Sequence, residues 1–327
     1  MTRSLSVFGE DFPLATPFRI SRGVKTLAEV VTVAIAQDGH VGRGEGVPYP
    51  RYGETVPGAI AEVEAVRAAL EAGASRADLL TLMAPGAARN AVDCALWDLE
   101  AKIARRSVTD LLGLPPLAPT PTAMTVGLDT PEAMAHAAAA LAHAPLIKVK
   151  VDRTDPAAQL QAVRSAAPAP RMIVDPNESW TMAEVDDLQP LLADLRIDLL
   201  EQPLPADEDD GLRGYTPLVP IAADESAHVA GDVAALADRY QVINIKLDKT
   251  GGLTAALALA DAAQAHGLTL MTGCMICSSL SIAPALIVTQ RCAFVDLDGP
   301  LWLSADRADG VQGVDGVLTP PSLGFWG

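Results

Sequence analysis

Four short runs decide the fold: Leu146-Ile-Lys-Val-Lys-Val151, Met172-Ile-Val-Asp175, Asp198-Leu-Leu-Glu201 and Ile221-Ala-Ala-Asp224. Each is apolar and strand-like, yet each carries charge inside it or at its C-terminal end. Between them lie windows of helical periodicity, 156–166 and 182–195, rich in Ala and Leu. Working outward, the same rhythm continues upstream with a strand at 123–126 and a helix at 131–143. Downstream it gives strands at 242–247, 268–272 and 293–297, with helices at 232–239 and 253–266. Strand alternating with helix is the pattern of parallel βαβ units. Eight strand candidates fit a closed (β/α) barrel of the α/β class. The competitor, an open doubly wound sheet, would carry a Gly-rich turn after its first strand. No G-x-G-x-x-G and no G-x-x-x-x-G-K-[ST] occurs. Gly251-Gly252 opens a helix and could cradle an anion on backbone N–H groups; more often such a pair is only a turn.

The N-terminal third reads differently. Residues 28–36 are β-branched and strand-like, and Asp38-Gly39 marks a tight hairpin. Windows 60–72 and 87–104 have helical periodicity. The Pro-dense Gly113-Leu-Pro-Pro-Leu-Ala-Pro119 reads as a linker. The expectation is an α+β unit ahead of the barrel.

The 327 residues carry 24 Lys+Arg against 41 Asp+Glu, a net charge of −17, and half of them are hydrophobic. That surface excludes nucleic acid as a partner and the composition excludes disorder. No apolar run reaches the roughly 18 residues of a membrane span, so no membrane partner is expected. Met1-Thr-Arg-Ser-Leu-Ser-Val-Phe-Gly-Glu10 does not read as a signal peptide. Cys94, Cys274, Cys277 and Cys292 are too few and too irregular for a disulfide framework. A cytoplasmic protein with reduced thiols is expected. The oligomeric state is left open, a homo-oligomer included.

Chemistry enters with the charges. Asp175, Glu201 and Asp224 each end a strand run, one strand–helix unit after another, which puts them on the active-site face of a barrel. Any one alone reads as a helix cap or a solvated strand end; three in register do not. Such convergence calls for a hard cation, since like charges packed together push carboxyl pKa values up. An all-oxygen set suits Mg²⁺ better than Zn²⁺. Lys148 and Lys150 lie two apart, on one strand face. In an ordinary half-buried strand that face is solvent; in a barrel it is the mouth. Lys246, in Asn244-Ile-Lys246, holds the corresponding place almost across the ring. Desolvated lysines near a metal are expected to have lowered pKa values and to act as bases.

Lys148-x-Lys150, Asp175-x-Asn177, Glu201-Gln-Pro203, Asp224-Glu-Ser226 and Asn244-Ile-Lys246 together resemble the enolase superfamily, muconate-lactonizing subgroup. Ala87-Ala-Arg-Asn-Ala-Val-Asp-Cys-Ala-Leu-Trp-Asp98, Pro48-Tyr-Pro-Arg-Tyr-Gly-Glu54, Asn244-Ile-Lys-Leu-Asp-Lys-Thr-Gly-Gly252 and Asp296-Leu-Asp-Gly-Pro300 are similar to its L-Ala-D/L-Glu epimerases. Those enzymes act on a dipeptide released from peptidoglycan. The resemblance implies a (β/α)7β modified TIM barrel over 116–304. It implies an α+β capping domain from 1–115 and the tail 305–327. It also implies Mg²⁺ on Asp175, Glu201 and Asp224, and a 1,1-proton transfer between Lys150 and Lys246. Lys148 would stabilise the enolate oxygens with the metal, and Asp296 and Asp298 would hold the substrate's α-ammonium. Thr125 would contact substrate, and Cys274 and Met275 would line the pocket. Pro176 departs from the pattern, where Ala is common, and bears on the local turn.

Other readings remain. A different muconate-subgroup reaction, such as o-succinylbenzoate synthesis or cycloisomerisation, is disfavoured by Asp296 and Asp298, which would repel a dicarboxylate. A dipeptide epimerase of other specificity stays open, as does a silent barrel that only binds an acidic ligand. Against the last stand two opposed lysines, which a binder does not need. Arg22 and Arg51, in loops that would close over the mouth, could pair with a substrate carboxylate or could be surface arginines. Cys274-x-x-Cys277 has a redox spacing without thioredoxin-like context, so pocket lining is the expectation. The acidic run Asp207-Glu-Asp-Asp210 reads as a solvated loop. The five histidines form no H-E-x-x-H.

Overall fold

The computed structural model describes residues 3–20 and 23–327. The chain opens with three antiparallel strands, β1 (Ser4–Ile20), β2 (Gly23–Gln37) and β3 (His40–Gly46). Asp38 and Gly39, with φ of 54° and 78°, turn β2 into β3. Two consecutive positive φ values match the right-handed twist of the hairpin strands, and the Asp-Gly pair tolerates them. The sequence gives little warning of β1, because most of its residues are exposed or half-buried.

β3 reads His-Val-Gly-Arg-Gly-Glu-Gly, with a glycine at every second position. All three glycines face the helix Ala87–Ala104. A β-carbon on Gly42, Gly44 or Gly46 would collide with the carbonyl oxygen of Ala95, Ala91 or Ala87 respectively. Two strand residues rise about 6.7 Å and four helix residues about 6.0 Å. The two repeats therefore run nearly in step, glycine against the backbone of every fourth residue. This lets a helix whose first thirteen residues are all buried sit directly on the sheet.

A short β4 (Thr120–Pro121) leads to eight parallel strands: β5 (Ala123–Val126), β6 (Leu146–Lys150), β7 (Arg171–Asp175), β8 (Leu199–Glu201), β9 (Ile221–Ala223), β10 (Val242–Ile245), β11 (Thr269–Gly273) and β12 (Phe294–Asp296). They neighbour one another in chain order. β12 returns to β5, where Leu297 N–H donates to Thr122 Oγ1 at 2.8 Å and Thr125 N–H to Asp298 Oδ2 at 3.0 Å. Side chains thus stitch the seam of the barrel. The outward Ile147, Val149, Val174 and Ile243 pack on the helices in the main core. Inside, one apolar residue from each strand forms a plug: Ala123, Leu146, Ile173, Leu199, Ala222, Val242, Met271 and Phe294.

Several expectations shift. The strand expected over 242–247 ends at Ile245, and Leu247–Thr250 is a helical turn. The helix expected at 232–239 is a 3₁₀ turn followed by Val233–Leu236. The window 60–72 holds two helices, Val56–Ala65 and Arg67–Glu71. Helix Ser279–Thr289, buried on every side, shows no amphipathic stripe and was not expected.

The tail comes back to the first domain's side. β13 (Gln312–Val314) pairs with β14 (Val317–Thr319), and β14 with β4. Beyond them Trp326 Nε1 donates to Cys94 O at 3.1 Å, and Gly327 N to Asp98 Oδ1 at 2.8 Å.

Gly44→Ala should lower stability by about 1–3 kcal/mol through overpacking against backbone that cannot retreat. Gly231→Ala, where a β-carbon meets nothing within 4 Å, should change it little. Equal melting temperatures for the two variants in thermal denaturation would refute direct glycine-to-helix packing.

Candidate active site

Side chains alternate along a strand, so the next inward position above each plug residue is set by register. Those positions are Thr125, Lys148, Asp175, Glu201, Asp224, Asn244, Gly273 and Asp296. One layer of apolar side chains is followed by one layer that is mostly charged. Above it lie Lys150, Lys246 and Asp298, again two residues further along. Thr125, Lys148, Lys150, Lys246, Cys274, Met275, Asp296 and Asp298 line one cavity with an empty volume of about 680 Å³. The first domain contributes Phe18, Ile20, Lys25, Tyr49 and Tyr52 to its walls. None of these five was singled out from sequence, because only the fold carries them over the barrel mouth.

The ring has a simple electrostatic plan. β6 and β10 stand four strands apart in an eight-strand circle, so Lys150 and Lys246 come from opposite sides. The arc β7–β9 between them supplies Asp175, Glu201 and Asp224, each at most 1% exposed. The other arc supplies Gly273, Asp296 and Thr125. Lys148 Nζ lies 2.6 Å from Glu201 Oε2, 2.8 Å from Asp296 Oδ2 and 3.1 Å from Asp175 Oδ2. Lys150 Nζ bonds Asp175 Oδ2 at 2.5 Å, and Lys246 Nζ bonds Asp224 Oδ2 at 2.6 Å. Lys249, missed in the sequence reading, is fully buried and holds Asp224 Oδ1 at 2.7 Å. Asn244 Nδ2 donates to Glu201 Oε1 at 2.9 Å.

Burial lowers the lysine pKa values, but the facing carboxylates outweigh it for Lys148 and Lys246, which are raised rather than lowered. Among the carboxylates, burial pushes Glu201 up, with Asp175 and Asp224 adding to it against Lys148. Asp175 and Asp224 are lowered because Lys150 and Lys246 overcome their burial.

The donor set suits a hard dication. Among the described residues the acidic side chains do not close into a ready-made cage, because lysine ammonium groups stand between them. Glu201 Oε2 is near Lys148 in distance only; that approach lacks hydrogen-bonding geometry, and among the described residues Oε2 and Asp296 Oδ1 are buried acceptors without a donor. Three buried oxygen ligands on consecutive strands, one of them with an oxygen that accepts no hydrogen bond, are what Mg²⁺ would complete.

Surrounding groups fix these ligands. Asn177, at φ 48°, turns so that its N–H reaches Asp175 Oδ1 at 2.8 Å and its Nδ2 reaches Oδ2 at 3.1 Å. Pro176 does not disturb that turn. Gln202 Oε1 accepts from Asp224 N at 2.9 Å, and Gln202 Nε2 donates to Tyr240 Oη at 3.0 Å. The expected solvated loop at Asp207–Asp210 is a 3₁₀ turn in which Asp209 is buried. It accepts from Tyr240 Oη at 2.6 Å and Ser226 Oγ at 2.7 Å, and pairs with Arg239. Asp209 thus supports the segment that presents Asp224.

Of the two loop arginines, Arg22 lies outside the described residues. Arg51 is not among the cavity-lining residues; its guanidinium makes a two-pronged pair with Glu178, at 2.9 and 2.8 Å.

Comparison with known proteins places the chain. Residues 132–323 match the model of the enolase C-terminal domain-like family, and residues 2–113 match the mandelate racemase / muconate lactonizing enzyme N-terminal domain. The L-Ala-D/L-Glu epimerase of Escherichia coli K12 is 46% identical over 97% of this chain and 99% of its own. The N-acetyl-D-glutamate racemase of a Pseudoalteromonas species is 41% identical over 91% of this chain and 95% of its own. An enolase family member from Agrobacterium tumefaciens, solved with sodium and L-Ala-L-Glu, superposes with a TM-score of 0.97 at 48% identity, covering 99% of this chain and 100% of that one.

The Gly251-Gly252 turn is not an anion site. The N-terminus of helix Leu253–Ala265 is taken by Asp93, which accepts from Thr254 N at 2.9 Å and Thr254 Oγ1 at 2.6 Å. Arg89 covers the preceding carbonyls, Gly251 O at 3.0 Å and Thr250 O at 2.6 Å. Burial pushes the Asp93 carboxyl up to about 6. A carboxyl raised above its unfolded value binds its proton more tightly when folded, so its contribution to stability falls as pH rises from about 4 to about 6. Asp93→Asn removes that titration. The variant should gain roughly 2 kcal/mol relative to wild type between pH 4 and pH 7; a constant difference across that window in urea denaturation would contradict the assignment.

Proposed function

This chain belongs to the mandelate racemase / muconate lactonizing enzyme family of enolase-like proteins, and on that premise we propose that it epimerises the Glu α-carbon of L-Ala-D/L-Glu with Mg²⁺ as cofactor. The observation that carries the reading is the placement of Lys150 and Lys246 on strands four apart, facing each other across the carboxylate arc. Support for the substrate comes from the relatives of Escherichia coli and Agrobacterium tumefaciens, described respectively as an L-Ala-D/L-Glu epimerase and as bound to L-Ala-L-Glu. A cytoplasmic setting with its four cysteines as free thiols belongs to the same reading.

The chemistry follows from the ring. Asp175, Glu201 and Asp224 are the residues that would hold the metal. Bound there, Mg²⁺ supplies positive charge to the substrate carboxylate, whose oxygens gain charge when the α-proton leaves. Lys148 adds a buried ammonium beside the same oxygens, and this stabilisation grows as charge develops, which is what lowers a barrier. Asp296 and Asp298, on the opposite arc, face the substrate's ammonium and so set its orientation. The α-carbon then lies between β6 and β10. One lysine, as the free amine, takes the proton from its side. The other, as ammonium, delivers a proton to the opposite face, and the centre inverts. Either direction uses the same pair with protonation states exchanged. Thr125 lines the cavity at the seam beside Asp298, and Cys274 and Met275 form wall opposite the carboxylates.

A second reading has one observation in its favour, the relative described as an N-acetyl-D-glutamate racemase. Such a substrate has an amide in place of the dipeptide's free amine, and Asp296 and Asp298 would face no cation. The dipeptide is therefore preferred.

Incubating the protein with L-Ala-L-Glu and Mg²⁺ in D₂O should give the D-Glu epimer with deuterium at the Glu α-carbon by NMR; turnover of N-acetyl-L-glutamate in preference would favour the second reading instead. Lys150→Ala and Lys246→Ala should each lower epimerisation by about 10²–10⁴, with each variant keeping α-proton exchange from one epimer only. If both keep full epimerisation, the two-base assignment fails. Chelation with EDTA should abolish turnover, and Mg²⁺ should restore it.

A further inference from the structure

Two thiols converge in the cavity wall and have no part in the chemistry above. Cys274 Sγ and Cys277 Sγ lie 3.1 and 3.0 Å from the point where a β-carbon on Gly299 would stand, so both sulfurs pack over one glycine. Burial raises the Cys277 thiol, and Cys274 beside it raises it further. Cys274 is half-buried and lines the cavity, whereas Cys277 is fully buried behind it. This is the arrangement of an accessible thiol with a partner in reach.

We propose that Cys274 and Cys277 form a redox-modification site, at which a peroxide entering the cavity converts the two thiols to an intramolecular disulfide and turns the site off. The Cys274 sulfur attacks one peroxide oxygen; the O–O bond breaks, an S–O bond forms, and one water leaves with the thiol proton. The Cys277 sulfur then attacks the Cys274 sulfur; the S–O bond breaks, and the departing hydroxyl takes the Cys277 proton as a second water. Two thiols lose two electrons and the peroxide gains two. The order follows from access. Burial pushes the Cys277 thiol well up, and Cys274, which lines the cavity, is the one the peroxide meets first.

The wall has no slack to absorb the new bond. At one end a β-carbon on Gly273 would stand 3.0 Å from Lys246 Cε, so backbone and lysine are packed together. At the other end Ser278 caps helix Ser279–Thr289 and is held by Glu45, which accepts from Ser278 N at 2.8 Å and from its hydroxyl. Glu45 is in turn held by Arg307, at 2.9 Å. Closing a disulfide between these anchors shifts Met275 and Ile276, both of which line the cavity.

The full chain, reduced and then treated with hydrogen peroxide, should lose the mass of two hydrogens, located by peptide mapping to Cys274–Cys277. Epimerisation should fall roughly tenfold to a hundredfold, and dithiothreitol should restore both mass and activity. Cys277→Ala, with Cys277→Ser as a second variant should the first fail to fold, should form no disulfide. It should instead gain two oxygens at Cys274, and dithiothreitol should not reverse that. Direct oxidation of wild-type Cys274 without a disulfide, or a disulfide with less than a tenfold loss of turnover, overturns the proposal. The mass readout is independent of the substrate, so a failed epimerase assignment would leave the disulfide result standing.

Discussion

The structure rests on the two-residue repeat of the barrel strands. Inward positions come in layers, and the lowest layer is an apolar plug with one side chain from each of the eight strands. Because the plug fills the barrel's lower end, the layer above it is cut off from water on that side. Lys148, Asp175, Glu201 and Asp224 are therefore nearly fully buried, and of the four Lys148 lines the cavity. Buried charge is tolerated only when paired, and here lysines from β6 and β10 pair with carboxylates from β7, β8 and β9. A one-residue slip of any of these strands would send its charge outward among the helices and an aliphatic side chain into the site.

That dependence extends to the N-terminal sheet. Its residues complete the cavity, so its position relative to the barrel sets the shape of the site. Two devices hold it. The alternating glycines of β3 bring the sheet onto helix Ala87–Ala104, whose Asn90 reaches Asp248 in the helical turn after β10 and whose Asp93 holds the N-terminus of helix Leu253–Ala265. On the other face of β3, Glu45 accepts from Ser278 and Arg307, joining sheet, barrel and tail at one buried carboxylate. Desolvation pushes the Glu45 carboxyl up against the pull of Arg307, which marks how deeply the junction is buried.

The barrel and its charged residues were legible because barrel strands are buried on both faces. In such runs apolar residues are nearly continuous, so Lys148, Lys150, Asp175, Glu201 and Asp224 stand out. The rest was hidden for separate reasons. β1 carries Pro13 and Pro17 and is half-exposed along its length, so alternation is faint. Helix Ser279–Thr289 is surrounded by protein and has no polar face. Asp209 and Lys249 look like surface charges in sequence; only contacts from distant segments, Tyr240 and Ser226 for one and Asp224 for the other, show that they are buried. The glycine alternation of β3 was visible in the letters, but its meaning needs the helix that it meets. The lysine pKa directions were not legible, since they depend on which carboxylates each ammonium faces.

The proposed chemistry puts a cation on the β7–β9 arc and a substrate α-carbon between two lysines. It is tested most directly by a crystal structure of the chain with Mn²⁺ and L-Ala-L-Glu, with the metal located by anomalous scattering. The expected result is a metal peak bounded by Asp175, Glu201 and Asp224, with Lys150 and Lys246 on opposite sides of the Glu α-carbon. A metal bound elsewhere, or both lysines on the same side of that carbon, would contradict it.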